Sequence, residues 1–335
     1  MSIPIEPTPI EPTPAEPTPA EAPVIEAARQ ARLNIDAFAI RTPLVRLNTD
    51  GLGDGEHDVF LKLESLQPIG SFKIRGAANA MAKLPRKRLS RGVFTASAGN
   101  MAQGVAFCAR RMGVSATVIA PETASETKLR AVERMGARII KAPFDQWWKT
   151  FEDRAFPGVE ATFIHAFDDP NVMAGNGTIG LELIEDLPDL DAIVIPWGGG
   201  GLACGIAAVV KALKPSVRIY AAEVATGAPL AASLNAGTPQ VVDYKPSFVD
   251  GIASKTVLPK MLDRAQRLLE GSIVMTLEEI AFVIKFVAER NCLIAEGAAA
   301  CAVAAALSGK AGGGKIVAIL SGGNIDLKKF AELIK

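Results

Sequence analysis

Short apolar runs alternate with stretches in which apolar residues recur every three or four positions, from about residue 70 to the end of the chain. Ile74, Ala77, Ala78 and Met81 share one face of a helix that Ser71 is placed to cap, behind a turn marked by Pro68 and Gly70. Phe94 to Ser97 reads as a strand, and Met101 to Met112 as a helix with Ala102, Val105, Ala109 and Met112 on one side. Ala116 to Ala120 is the next strand. Thr123 and Glu126 have capping-box spacing ahead of a helix that carries Leu129, Val132 and Met135 and stops at Gly136. Arg138 to Lys141, Thr162 to His165, Ala192 to Pro196, Arg218 to Glu223 and Lys315 to Leu320 are further strands, with a helix over Leu202 to Leu213. Cys292 to Leu307, broken only by Glu296, predicts a tightly packed buried helix, too short to span a bilayer comfortably. The alternation predicts an α/β protein with mostly parallel sheets.

The first 23 residues break this rhythm. Ile5-Glu6-Pro7-Thr8-Pro9 recurs from Ile10 and, with Ala15 leading, again through Pro19. Proline this dense prevents helix and ladder formation, which predicts an extended, acidic, disordered tail, solubilising rather than docking. The 335 residues suggest two domains, and 49% apolar residues against 21% charged allow a large core. Thirty-six basic residues balance 36 acidic ones, so nothing advertises a nucleic-acid or anionic-membrane partner. The start of the chain lacks the basic segment and apolar run of a signal peptide. Cys108, Cys204, Cys292 and Cys301 form no C-x-x-C pair and read as small buried hydrophobes in a reducing cytosol. The two histidines, His57 and His165, leave little room for histidine-centred catalysis.

Three segments and one lysine carry candidate chemistry. Lys73 falls in the first turn of its helix, where the macrodipole disfavours an ammonium. A lysine there suits an amine wanted neutral, as for a Schiff base, although alone it also reads as a solvated helix residue. Gly198-Gly199-Gly200-Gly201-Leu202 joins a strand to a helix, so bare backbone can approach an anion at a helix start. No Lys-Ser/Thr follows, which excludes a Walker-type loop. Gly198, Gly200 and Ala203, with Glu223 ending the next strand, keep a nicotinamide-dependent oxidoreductase open. Ser97 to Gly104 offers amides and a hydroxyl at another helix start, fit for a carboxylate. Ser321-Gly322-Gly323-Asn324 either presents a hydroxyl to a ring nitrogen or simply turns the chain.

Together these segments resemble the fold-type II pyridoxal-phosphate enzymes, specifically the serine racemase-related threonine/serine dehydratase group. The resemblance spans about Thr42 to Asp326. It rests on Lys62 to Ala77, Ser97 to Val105, the four glycines, Val249 to Ala253, Ala295 to Ala298 and Ser321 to Asn324. It implies a tryptophan synthase β-like fold of two open, mostly parallel sheets flanked by helices. It implies pyridoxal 5'-phosphate bound to Lys73, which also serves as the Cα base, with Phe72 against the ring and Asn100 on the phenolic oxygen. Gly198, Gly199, Gly200, Gly201 and Leu202 match the phosphate loop, Glu296 belongs to the cofactor site, and Ser321 faces the ring nitrogen. A serine there does not keep that nitrogen protonated, so rapid loss of a β-leaving group suits the site better than transamination. Ser97, Ala98, Gly99, Met101, Gln103 and Gly251 are assigned to substrate. The implied reaction is dehydration and deamination of an L-threonine or L-serine type substrate to a 2-oxo acid and ammonia.

Departures from the group narrow this reading. Racemase relatives carry a serine where Ala98 stands, so a two-base racemase lacks its acid. Met101 replaces the usual histidine, which admits a bulkier, more apolar substrate such as a phenylserine. Glu223 is present at the relatives' metal site, but Pro229 stands where their aspartate would be, so no metal is expected there. The chain ends soon after Asn324, and no C-terminal regulatory domain or isoleucine feedback is expected. A cysteine-synthase relative matches the Ser71 to Gly76 run less well, and intact Lys73, Asn100 and Ser321 argue against a catalytically dead binding protein. The expected organisation is a large cofactor domain of residues 24–89 and 169–335, with a small domain of 90–168 inserted. The cysteines predict a cytoplasmic protein, and a homodimer or higher homo-oligomer follows by resemblance alone.

Overall fold

The structure, a computed structural model, describes residues 22–50, 57–124, 126–252 and 254–335. Helix α1 (Ala22–Ile35) precedes strands β1 (Leu44–Arg46) and β2 (His57–Lys62), then α2 (Lys73–Ala82) and α3 (Arg86–Leu89). Next come β3 (Val93–Ala96), α4 (Asn100–Met112), β4 (Ala116–Pro121), α5 (Glu126–Arg134), β5 (Arg138–Ala142), α6 (Phe144–Asp153) and β6 (Thr162–Phe163). The chain continues through α7 (Pro170–Asp186), β7 (Ala192–Pro196), α8 (Gly201–Leu213), β8 (Arg218–Val224), α9 (Pro229–Ala236) and α10 (Pro259–Leu268). It closes with β9 (Gly271–Met275), α11 (Leu277–Asn291), α12 (Gly297–Leu307), β10 (Gly314–Ile319) and α13 (Leu327–Leu333).

Two sheets result, ordered β1-β2-β10-β7-β8-β9 and β5-β4-β3-β6. Among the strands of the described residues only β1 runs antiparallel, with Leu44 opposite Lys62. Strands of a parallel sheet are covered on both faces, which is why Ala192–Pro196 is apolar throughout and fully buried. One face of the larger sheet is covered by α12, whose alanines admit close approach, and the other by α8 and α10. The smaller sheet shares a core with α2 and α4, where Ile74, Ala77, Ala78, Met81, Ala102 and Val105 are fully buried. Helix α2 sits close to both α4 and α7. A side chain at Gly104 would lie 3.2 Å from the Lys73 carbonyl oxygen, and one at Gly175 would lie 2.9 Å from Gly76 Cα.

Several expectations change. The expected tail lies almost wholly outside the described residues, and its last two positions, Ala22 and Pro23, already belong to α1. Ser71 does not cap α2: Phe72 precedes the helix, and the Ser71 hydroxyl is buried without a partner among the described residues. The Ser71 backbone instead bridges to Gly322, and the Phe72 amide donates to the Ser321 carbonyl at 3.0 Å. Glu126 is the first residue of α5, so it cannot be the third residue of a helix capped by Thr123; its carboxylate accepts from Lys141 at 2.7 Å. Ser125 lies outside the described residues. The helix expected from Cys292 starts at Gly297, because Cys292 takes a left-handed φ of 53° at the end of α11 and the Glu296 amide turns to the Gly322 carbonyl at 3.0 Å. That left-handed turn leaves Cys292 exposed, whereas Cys108, Cys204 and Cys301 are buried. No helix of the described residues is long and apolar enough to cross a membrane.

Candidate active site

Lys73 opens α2, and its Nζ donates to the carbonyl of Ala166 at 2.8 Å, 5.1 Å from the centre of the Phe72 ring. Desolvation pushes the amine down to about 8, against the opposing field of the Glu296 carboxylate. About a tenth of the molecules therefore carry a neutral amine at pH 7. Two residues on, buried Arg75 anchors the same helix. Its guanidinium donates to Glu64 Oε1 at 2.8 Å and Oε2 at 2.9 Å, and to Glu182 Oε1 at 2.6 Å and Oε2 at 3.0 Å. Lys62 reaches Glu182 at 2.7 Å, and the Thr42 hydroxyl donates to Glu64 at 2.6 Å. Burial opposes ionisation of Glu64, but Arg75, Thr42 and Lys62 together hold its carboxyl below the usual range. Sequence reading did not single out this network; its signal was four charged residues within apolar surroundings.

The four glycines follow β7 and Trp197. Gly200, at a φ of 87°, precedes α8, and no side chain caps that helix. The amides of its first turn are therefore open to an anion. Bare backbone is also imposed by the segment that leads from β6 to α7. A side chain at Gly199 would strike the Phe167 ring, with Cδ2 at 2.7 Å, and one at Gly201 would lie 2.7 Å from Phe167 Cα. Gly198 rests against the next loop, its ideal Cβ 3.4 Å from the Gly251 carbonyl oxygen. His165 shapes the crossover by accepting the Phe167 and Asp168 amides on Nδ1, at 3.1 and 2.8 Å. Burial pushes its imidazole down to about 4, so it is neutral at pH 7. Asp168 pairs with Arg154 at 3.3 Å and Arg264 at 3.2 Å, joining α6 to α10.

The third helix start, at α4, likewise lacks a side-chain cap. The Ser97 hydroxyl accepts from the Gly99 amide at 3.2 Å. A side chain at Gly99 would meet nothing within 4 Å, so this turn borders open space. Ala98 is half-buried, and Gln103 is buried one turn into the helix, its backbone N–H donating to the Gly99 carbonyl at 3.2 Å. Asn100 Nδ2 donates to both carboxylate oxygens of Glu296, at 3.0 and 3.1 Å. Asn324 Nδ2 donates to Asn100 Oδ1 and to the Ile69 carbonyl, both at 2.8 Å. Buried Ser321 lies one residue before Gly322, whose carbonyl takes the Glu296 amide, and an ideal Cβ on Gly251 would be 3.5 Å from Glu296 Oε1. Leu202, one residue into α8, is buried.

Beside the glycine loop lies a cavity of about 130 Å³. Trp147, Trp148 and Phe151 of α6 line it together with Gly198, Gly199 and Phe167, whose ring packs directly on Gly199. The rings are in mutual contact: Trp147 meets Phe151 edge-on at 5.2 Å, and Phe151 stacks on Phe167 at 6.1 Å. Met101, expected at the substrate, is buried with Ile69, Ile74 and Val105 in the core shared with the smaller sheet and does not line this cavity. Sequence reading passed over the aromatic cluster. Its signal was helical spacing of Phe144, Trp147, Trp148 and Phe151, with two of the chain's three tryptophans.

Glu223, the acid a nicotinamide site would use for ribose, is spent elsewhere. Its oxygens accept the Leu230 and Ala231 amides at 2.8 Å each and the Ser272 hydroxyl at 2.6 Å, which starts α9. Among the described residues no group of three or more His, Cys, Asp or Glu is placed to hold a metal.

The chain matches the model of a family described as pyridoxal-phosphate dependent enzyme over residues 35–322. An L-threonine ammonia-lyase of Thermotoga maritima is 40% identical over 280 residues, covering 83% of this chain and 70% of that relative. A catabolic L-threonine dehydratase of Staphylococcus aureus is 35% identical over 312 residues, 91% of this chain and 90% of the relative. The solved structure of maize serine racemase superposes with a TM-score of 0.85 at 31% identity, covering 92% of this chain and 95% of that one.

Proposed function

The chain belongs to the pyridoxal-phosphate dependent enzymes, and from that membership we propose that it converts an L-β-hydroxy amino acid of the threonine or serine type to a 2-oxo acid and ammonia by β-elimination. The observation that carries the proposal is a lysine amine lowered to about 8, held one residue before the Phe167 that covers the glycine loop.

The residues fit the cofactor. Lys73 would bind it covalently, and the uncapped first-turn amides of α8 behind Gly198 to Leu202 would take its phosphate. Phe72, Asn100, Glu296 and Ser321 would surround its ring. When bound, it supplies the electron sink for the charge left at Cα. The Ser97 hydroxyl and the uncapped first-turn amides of α4, from Asn100 on, hold the substrate carboxylate. The neutral Lys73 amine takes the Cα proton, as its lowered pKa allows at neutral pH. The β-hydroxyl takes up a proton and leaves as water; the released enamine hydrolyses to the 2-oxo acid and ammonia. Ala98 supports elimination over racemisation, because a methyl group cannot return a proton to the opposite face. The T. maritima and S. aureus relatives, both named for L-threonine, support the same reaction class.

A small domain of residues 90–168, clasped to the large one through Asn100, Glu296 and Asn324, closes the cleft over substrate. The working form is a cytosolic homo-oligomer. Exposed Leu66 and Ile294, from the two segments that meet at Gly323, support a subunit contact.

The test is 2-oxo acid release from L-threonine and L-serine by the cofactor-loaded protein. Lys73→Ala should abolish both the release and the visible absorption band of the bound cofactor. A retained band in that variant, or cofactor-independent turnover of nicotinamide, would refute the assignment.

A further inference from the structure

We propose that the aromatic cavity beside the glycine loop seats the β-substituent of the substrate and selects an aryl or similarly bulky apolar group, as in a 3-arylserine. The inference rests on the β-elimination reading and adds the substrate class to it.

Position is the first argument. Phe167, one wall of the cavity, follows Ala166, whose carbonyl holds Lys73 Nζ at 2.8 Å. Gly198 and Gly199, which also line it, belong to the loop that would hold the cofactor phosphate. The cavity therefore adjoins the site on two sides: through Phe167 it neighbours the carbonyl that holds the Cα base, and through Gly198 and Gly199 the loop that would take the phosphate, so a β-substituent is assigned to it. Size is the second. A cavity of about 130 Å³ is close to the roughly 150 Å³ apolar cavity that accommodates benzene. The hydroxymethyl or hydroxyethyl group of serine or threonine would leave most of that volume without contacts.

Chemistry is the third. The wall is completed by Ser254, Thr256, Val257 and Leu258, and no charged side chain of the described residues lines it. A β-carboxylate, as in 3-hydroxyaspartate, would lose its hydration without gaining a cation. A ring would instead extend the edge-on and stacked series that runs from Trp147 through Phe151 to Phe167.

The holoenzyme should be assayed for 2-oxo acid release from L-serine, L-threonine, L-threo-3-phenylserine and L-threo-3-hydroxyaspartate. The expected result is a kcat/KM for phenylserine about tenfold or more above that for serine, with hydroxyaspartate slowest. Trp148→Ala should lower the phenylserine-to-serine ratio about tenfold, and Val257→Phe, which fills the cavity, should lower it as well. A purely structural effect would reduce both substrates alike and leave the ratio unmoved. A second readout is tryptophan emission of the holoenzyme, which L-phenylalanine should change at lower concentration than L-alanine. Serine or threonine turned over as well as phenylserine, or a ratio unmoved in both variants, overturns the assignment while the elimination reading stands. If no amino acid releases a 2-oxo acid, the elimination reading falls, and equal emission responses to phenylalanine and alanine would then overturn the cavity assignment too.

Discussion

Loading of the cofactor-free protein reads the Lys73 amine directly. Condensation with an aldehyde needs the neutral amine, so the loading rate follows its population. With a pKa of about 8, roughly one lysine in ten is neutral at pH 7, against about one in three thousand at the usual 10.5. Loading should therefore rise about tenfold per unit below pH 7.5 and level off above pH 8. Burial lowers this pKa and the Glu296 carboxylate raises it, so Glu296→Gln removes the charge that opposes the burial. Asn100 can still donate to the glutamine carbonyl, which keeps the clasp. The charge alone is then changed, and the midpoint should move down by about half a unit to one unit, giving roughly two- to fivefold faster loading at pH 7. The assay strips the protein with hydroxylamine, remixes it with pyridoxal phosphate between pH 6 and 9.5, and follows the visible band. A wild-type midpoint near 10, or a midpoint that rises in Glu296→Gln, would refute the reasoning.

Three further outcomes are expected. Arg75→Met leaves the Glu64 and Glu182 carboxylates buried without their shared cation, and should cost about 3–5 kcal/mol in urea unfolding; a loss under about 1 kcal/mol would show the network to be dispensable. Gly199→Ala drives its methyl into the Phe167 ring and should weaken cofactor retention about tenfold by dialysis and absorbance, with part of the loss recovered in Gly199→Ala combined with Phe167→Ala; unchanged retention would sink the packing argument. His165 titrates near 4 in the fold and near 6.5 unfolded, so between those values only the unfolded chain takes up the proton. Stability should fall as pH drops through this window, by up to about 3 kcal/mol, and His165→Asn, which keeps an acceptor for the Phe167 and Asp168 amides, should flatten that dependence.

Much of the fold was legible along the chain. The strand Ala192–Pro196 begins and ends where its apolar run does, because a strand covered on both faces admits no polar break. The helices at α4 and α8 lie within one residue of the positions their periodicity implies, since spacing and turn glycines act over a few neighbouring residues. The glycine loop and the Ser97 turn were readable for the same reason: a helix start with open amides is a local object. Local rules failed where distant backbone intervened. Ser71 loses its capping role to a bridge with Gly322, and the helix expected from Cys292 waits until Gly297 because the Glu296 amide is taken by Gly322. No spacing rule joins Lys73 to Ala166, 93 residues away, or Asn100 to Glu296, 196 residues away. Those meetings, and the aromatic chamber between α6 and the glycine loop, arise when α2, α4, α7 and α8 pack at glycine contacts and bring separate segments into one cleft. Pattern within a few residues specifies element type and open amides; which charge tempers an amine, and how large a substituent the site can hold, depends on surfaces that touch only after the chain has folded.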